Sequence, residues 1–131
     1  MLRYKFIAIT DEKTDCDLCG KMELKKTIVL LDSVTDQYVF FGSDCASRAL
    51  GWGVKETKKT ARDSDREYRA RARSFFLEQP ELTERDEYIK KFYADGGKFP
   101  DLDFDKETNL EKIARVRALK KFPFCKPTDL I

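Results

Sequence analysis

The chemistry available to this chain is concentrated in its four cysteines. Cys16 and Cys19 stand in Cys16-Asp17-Leu18-Cys19-Gly20, and Cys45 stands in Phe41-Gly42-Ser43-Asp44-Cys45-Ala46. Two thiolates separated by two residues reach one ion from a single tight turn, and a glycine after the second lets backbone N–H groups fold back toward the sulfurs. Cys45 falls in the first turn of a predicted helix, where the dipole and the free N–H groups favour a thiolate. Three thiols placed in this way predict a structural zinc site. The rival chemistries are an iron site of four thiolates and a redox pair at Cys16 and Cys19. The redox pair is disfavoured because its flanks do not form the usual strand-to-helix entry.

A fourth ligand has three candidates. Cys125 is the remaining thiol, and Phe122 and Phe124 beside it offer an apolar anchor for the tail that carries it. Asp44 offers a carboxylate next to Cys45, and a water can complete an open site. Cys125 is equally at home as a free thiol packed as a small hydrophobe. An even cysteine count also permits disulfides, but in a reducing compartment four cysteines favour metal or free thiols.

The chain holds no histidine. That absence excludes Ser-His-Asp and Cys-His nucleophile pairs and any histidine-based metal nuclease. Its glycines, at 20, 42, 51, 53, 96 and 97, match neither the phosphate-loop nor the dinucleotide-binding spacing. The expectation is a protein that is not an enzyme.

The elements that must carry the cysteines follow from periodicity. From Leu2 to Ile9 apolar residues alternate with Arg3 and Lys5, the pattern of a half-buried strand. Thr27–Leu31 and Tyr38–Phe41, separated by Asp32, Ser33 and Asp36, predict an antiparallel hairpin. Ser43 as N-cap opens a short helix that runs to about residue 50, before Gly51-Trp52-Gly53 stops it. Residues 54–79 contain neither Gly nor Pro and are crowded with Lys, Arg, Glu and Ala, which predicts a long exposed helix ending before Pro80. A further helix is expected from Thr83, with Tyr88, Ile89, Phe92 and Tyr93 on its apolar face, ending at Gly96-Gly97. A last one, from about Thr108 to Lys121, places Leu110, Ile113, Val116 and Leu119 along one side, and residues 122–127 leave it as an extended tail.

The fold class expected is α+β. Residues 1–53 form a zinc-binding part built on the hairpin, and 54–131 a mainly helical part packed with it as one compact unit. At 131 residues the chain suits one modest core, and its 10 Phe, 5 Tyr and 1 Trp are too many for a disordered chain even with 38% charged residues. The start lacks the apolar run of a signal peptide, and no stretch approaches the roughly 20 apolar residues of a membrane span. A cytoplasmic protein with no membrane partner is the expectation.

A Cys-x-x-Cys-Gly turn, a β-hairpin and a cysteine at a Gly-Ser-Asp-Cys-Ala helix start, in that order, resemble treble-clef zinc fingers. The set is most similar to small bacteriophage-encoded zinc proteins of that type. The resemblance covers residues 14–51. It implies a fourth ligand one turn along the helix from Cys45, where this chain has Arg48, which cannot bind zinc.

Charge is segregated along the chain although the net charge is only +2. Residues 55–73 hold 8 basic and 4 acidic side chains, 74–111 hold 5 and 11, and 112–131 hold 6 and 1. The first segment, through Lys55, Lys58, Lys59, Arg62, Arg66, Arg69 and Arg73, is a candidate phosphate-contacting face, with Tyr68, Phe75 and Phe76 nearby. The same charges can instead pair along the helix, Arg62 and Arg66 with Asp63 and Glu67, and Arg69 and Arg73 with Asp65. Trp52 either caps the core or stands out as an anchor for a partner. The functional expectation is a non-enzymatic zinc protein that contacts nucleic acid or a nucleoprotein machine. The alternative is an inhibitor or adaptor acting on a host protein through Trp52, Lys120 and Lys121.

Overall fold

The computed structural model describes residues 2–130. It is an α+β protein with its sheet at the N-terminus: β1 (Tyr4–Thr10), β2 (Thr27–Asp32), β3 (Gln37–Phe41), α1 (Ser43–Leu50), α2 (Val54–Leu77), α3 (Pro80–Ala94) and α4 (Phe104–Lys121). Short 3-10 turns lie at Phe99–Asp101 and Pro127–Leu130. The chain divides inside α2 into two compact units, the first ending at Tyr68 and the second starting at Arg69. The change in composition at residue 54 thus marks the start of a helix, whereas the division into units falls fifteen residues later.

In the first unit the sheet is antiparallel with β2 in the centre. The simple alternation expected of β1 is broken by a register shift between Phe6 and Ala8. A one-residue slip moves every following side chain to the other face. Phe6 therefore stands opposite Leu30 and Ile9 opposite Ile28, so two residues three apart share a face. With Val39 and Phe41 from β3 they cover a core of Cys16, Ile28, Leu30, Cys45, Ala46 and Ala61. The β2–β3 turn is set by Asp32, whose carboxylate accepts the Val34 N–H at 2.9 Å and a two-pronged pair from Arg3 at 3.0 and 2.9 Å.

The long helix α2 buries Thr57, Ala61, Tyr68 and Ala72, at intervals that return to one face. Asp65 accepts the Ile9 N–H of β1 at 2.8 Å. It is thereby engaged with the sheet as well as lying on the helix where a pairing with Arg69 and Arg73 was expected.

The second unit corrects four expectations. Helix α3 starts at Pro80 with Gln79 as N-cap, not at Thr83. Proline has no N–H to lose at the first helical position, so there it opens a helix rather than closing one. Helix α4 starts at Phe104, capped by Asp103, whose carboxylate accepts the Lys106 N–H at 3.1 Å. Its buried residues are Ala114 and Ala118, while Ile113 and Val116 are 48% and 57% exposed. Helices α3 and α4 pack together, joined by Arg117 to Glu81 and Arg85 to Glu111. Alanines four apart share one face of the helix, and a strip of small side chains permits close approach of whatever covers it. The segment after α4 is not an extended tail. The Cys125 N–H bonds the Phe122 carbonyl at 3.1 Å, and the chain turns into the final 3-10 segment, where Leu130 is buried.

Candidate metal centre

Three elements of the first unit converge on one point. The loop before β2 supplies Cys16 and Cys19 from a tight turn closed by the Gly20 N–H on the Cys16 carbonyl at 2.8 Å, with Gly20 in the left-handed region at φ 76°. A side chain there is strained, so the glycine sets the turn. The turn is docked on the edge strand β3 by reciprocal bonds: the Asp17 N–H donates to the Phe40 carbonyl at 2.8 Å, and the Phe40 N–H donates to the Asp17 carboxylate at 2.9 Å. Helix α1 brings Cys45. Gly42 is its N-cap rather than Ser43, and Gly51 at φ 71° closes it.

The sulfurs of Cys16, Cys19 and Cys45 lie within 4.8 Å of one another, Cys16 and Cys45 buried and Cys19 exposed. None is in a disulfide. A tetrahedral ion with metal–sulfur bonds of about 2.3 Å holds its sulfurs about 3.8 Å apart, so the three thiols could hold a metal ion with little movement.

The electrostatics suit a cation. Burial raises the Cys16 thiol, but the backbone N–H groups of Cys19, Gly42 and Leu18 and the Cys45 side chain outweigh it and hold it down to about 7. The Gly42 N–H donates to this sulfur at 3.3 Å. Burial first, then hydrogen bonds with Cys19 and Cys16 and the repulsion of Cys16, push the Cys45 thiol up to about 11, against the lowering effect of Arg48. One thiolate is therefore prepared, and a second beside it is opposed until positive charge arrives. Arg48 supplies part of that charge, its Nη2 donating to the Cys45 sulfur at 3.4 Å. It lies one helical turn from Cys45 and faces the sulfur as a cation.

The other expected site residues are placed as follows. Cys125 is buried in the second unit and is not one of the three grouped thiols, nor is the Asp44 carboxylate. Lys55, Lys58, Lys59, Arg62, Arg66 and Arg73 are exposed along α2. Among the described residues Lys55, Lys58, Lys59 and Arg62 make no ion pair, and Arg66 reaches Asp63 only at 3.8 Å. Arg69 is committed elsewhere, to Asp129 at 2.5 Å. Trp52 is half-buried, stacked on Phe6 with centroids 5.6 Å apart, and its carbonyl accepts the Ser47 hydroxyl. Lys120 is exposed, and the Lys121 ammonium sits 4.3 Å from the centre of the Phe75 ring.

Sequence reasoning missed two features of the centre: the Gly42 N–H on Cys16 and the guanidinium of Arg48 on Cys45. The first is a backbone contact that no residue type announces. The second had a signal in the spacing of Arg48 from Cys45. No helix among the described residues is long and apolar enough to cross a membrane. Compared with known protein families, curated proteins and solved structures, the chain matches none.

Proposed function

We propose that the first unit is a treble-clef zinc module that presents the basic face of α2 to the phosphate backbone of a nucleic acid, with no catalytic role. Zinc is the ion that three thiolates with one open position suit best, and a water completes the tetrahedron. Three thiolates and one divalent ion leave a net negative charge, and Arg48 offsets it. The ion then ties the Cys16–Cys19 turn to α1 and so supports the sheet on which α2 lies.

The observation that carries the nucleic-acid reading is a row of exposed cations of which, among the described residues, only Arg66 makes an ion pair, at 3.8 Å. Lys55, the adjacent pair Lys58 and Lys59, Arg62 and Arg66 follow one another at steps of three or four residues on the exposed part of a continuous helix. A solvated, self-paired helix would have matched them with Asp63, Asp65 and Glu67. Among the described residues these five cations make only the long Arg66–Asp63 contact, and the Asp65 carboxylate accepts the Ile9 N–H of the sheet. The acidic and basic segments of the second unit, by contrast, pair with each other through Arg117–Glu81 and Arg115–Glu111. Those charges are less suited to a partner than they are in the sequence alone.

The test is oligonucleotide binding against salt. Five phosphate contacts predict a log–log slope of about −4.5 on duplex DNA, or about −3.5 on a single strand. Replacing Lys58, Lys59, Arg62 and Arg66 by Glu should abolish binding with the fold intact. Absence of binding at low salt rejects the reading and leaves the protein-partner alternative, with Lys120 and Lys121 as the first residues to change.

A further inference from the structure

The first unit contains a pocket that neither the cysteine centre nor the row of cations explains. It has a volume of about 300 Å³ and lies among β1, β2 and the starts of α1 and α2. Ile9, Ile28 and Ala61 give it an apolar floor, and Lys26, Lys58 and Arg62 bring three cations to its walls. No lining residue is acidic. All three cations are exposed, and among the described residues none makes an ion pair. Ser43 adds a hydroxyl and belongs to the first turn of α1, an eight-residue helix that no side chain caps.

The placement follows from the helix. Lys58 and Arg62 each follow a buried residue, Thr57 and Ala61, by one position, which turns them about 100° from the buried stripe to the edge of α2 nearest the sheet. Lys26 is the residue before β2, and so reaches the pocket from the sheet and not from α2. Three cations around one small concavity without a carboxylate would repel one another, and they are best satisfied by a compact anion of more than one charge. The apolar floor asks for a ligand with a second, less polar part. The volume stands at the lower end for small-molecule sites.

From these features we infer that this pocket binds a nucleotide through its phosphate monoester, held by Lys26, Lys58 and Arg62, with the nucleoside against Ile9, Ile28 and Ala61. The ligand is either a free mononucleotide or the 5′-phosphorylated end of a strand. In the second form the inference rests on the nucleic-acid reading above, with which it shares Lys58 and Arg62.

Two variants separate the ideas. Lys26→Glu changes the pocket outside α2, and Lys55→Glu changes the α2 face outside the pocket. Titration with AMP, followed by amide NMR shifts, should perturb Ile9, Ile28 and Ser43. AMP should bind about tenfold more tightly than inorganic phosphate, because only AMP uses the floor. Lys26→Glu should weaken AMP by about tenfold or more and Lys55→Glu should not. A 5′-phosphorylated oligonucleotide that binds at least about tenfold more tightly than its 5′-hydroxyl twin identifies the strand end as the ligand, whereas equal binding of the two with AMP retained identifies the free nucleotide. The inference is overturned if AMP does not bind at millimolar concentration, if inorganic phosphate binds as well as AMP, or if Lys26→Glu leaves AMP binding unchanged. AMP binding without any oligonucleotide binding would reject the nucleic-acid face and keep the pocket.

Discussion

Arg48 is the most informative residue to change, because it lies one turn from Cys45, at the helix position from which the proposed treble clef would draw a fourth ligand. Its guanidinium lies 3.4 Å from the Cys45 sulfur, where a unit charge pair is worth about 1 kcal/mol at the dielectric of water and about 5 kcal/mol at an effective dielectric of about 20. The side chain is exposed, so screening places the contribution near the low end, about 1–2 kcal/mol. The gain arises when the ion binds. Without metal the Cys45 thiol is pushed up to about 11 and is neutral at pH 7, and binding converts it to a thiolate facing the arginine. Arg48→Ala should therefore weaken metal affinity by about five- to thirtyfold, within the range for outer-shell partners of metal ligands. Because Arg48 is exposed, the fold should be unchanged. Arg48→Cys should act in the opposite direction, placing a fourth sulfur one turn from Cys45. The assay is cobalt titration, in which thiolate-to-cobalt absorption counts sulfurs and zinc competition gives the affinity. Equal affinity of Arg48→Ala and the parent chain would refute the electrostatic argument. An Arg48→Cys protein with the three-sulfur spectrum would refute the geometric one.

The protein should bind close to one zinc per chain, and Cys45→Ser should lose the ion and destabilise the first unit, whereas Cys125→Ser should keep full metal content. Loss of zinc from Cys125→Ser would show that the second unit closes the site. The Asp32 carboxyl is held down to about 2, chiefly by its bond to Arg3, against an ordinary value of 3.8. A depressed folded-state pKa stabilises above the unfolded value, so this contribution should be complete above pH 4 and fade as the pH falls toward 2. Arg3→Ala should flatten that limb in acid unfolding curves, and identical acid limbs would count against the assignment. In the second unit, Ala118→Leu should destabilise by about 1–3 kcal/mol through overpacking, while Val116→Ala should change denaturant midpoints little. A larger loss from Val116→Ala would mean that the apolar stripe read from the sequence is the packed face after all.

The spacing of Cys16, Cys19 and Cys45 determined which thiols meet, because a tight turn and a helix start restrict where those residues can stand. The hairpin, α1 with its Gly51 stop and the start of α2 were legible for the same reason: each is decided within a few residues by β-branched content, turn formers and glycine. What lay beyond reach depended on contacts between segments distant in sequence. The slip at Ile7 puts Phe6 and Ile9 on one face only because β2 is there to be paired. Ala114 and Ala118 are the buried positions of α4 although Ile113 and Val116 carry more apolar surface, because which side of a helix is covered depends on what packs against it. The cations of α2 are indistinguishable in sequence from a self-paired helix, and it is the bond from β1 to Asp65 that engages one of their expected partners. Lys26 lies outside every pattern in the chain, since a residue's place at a pocket is fixed by what folds against it and not by its neighbours in sequence.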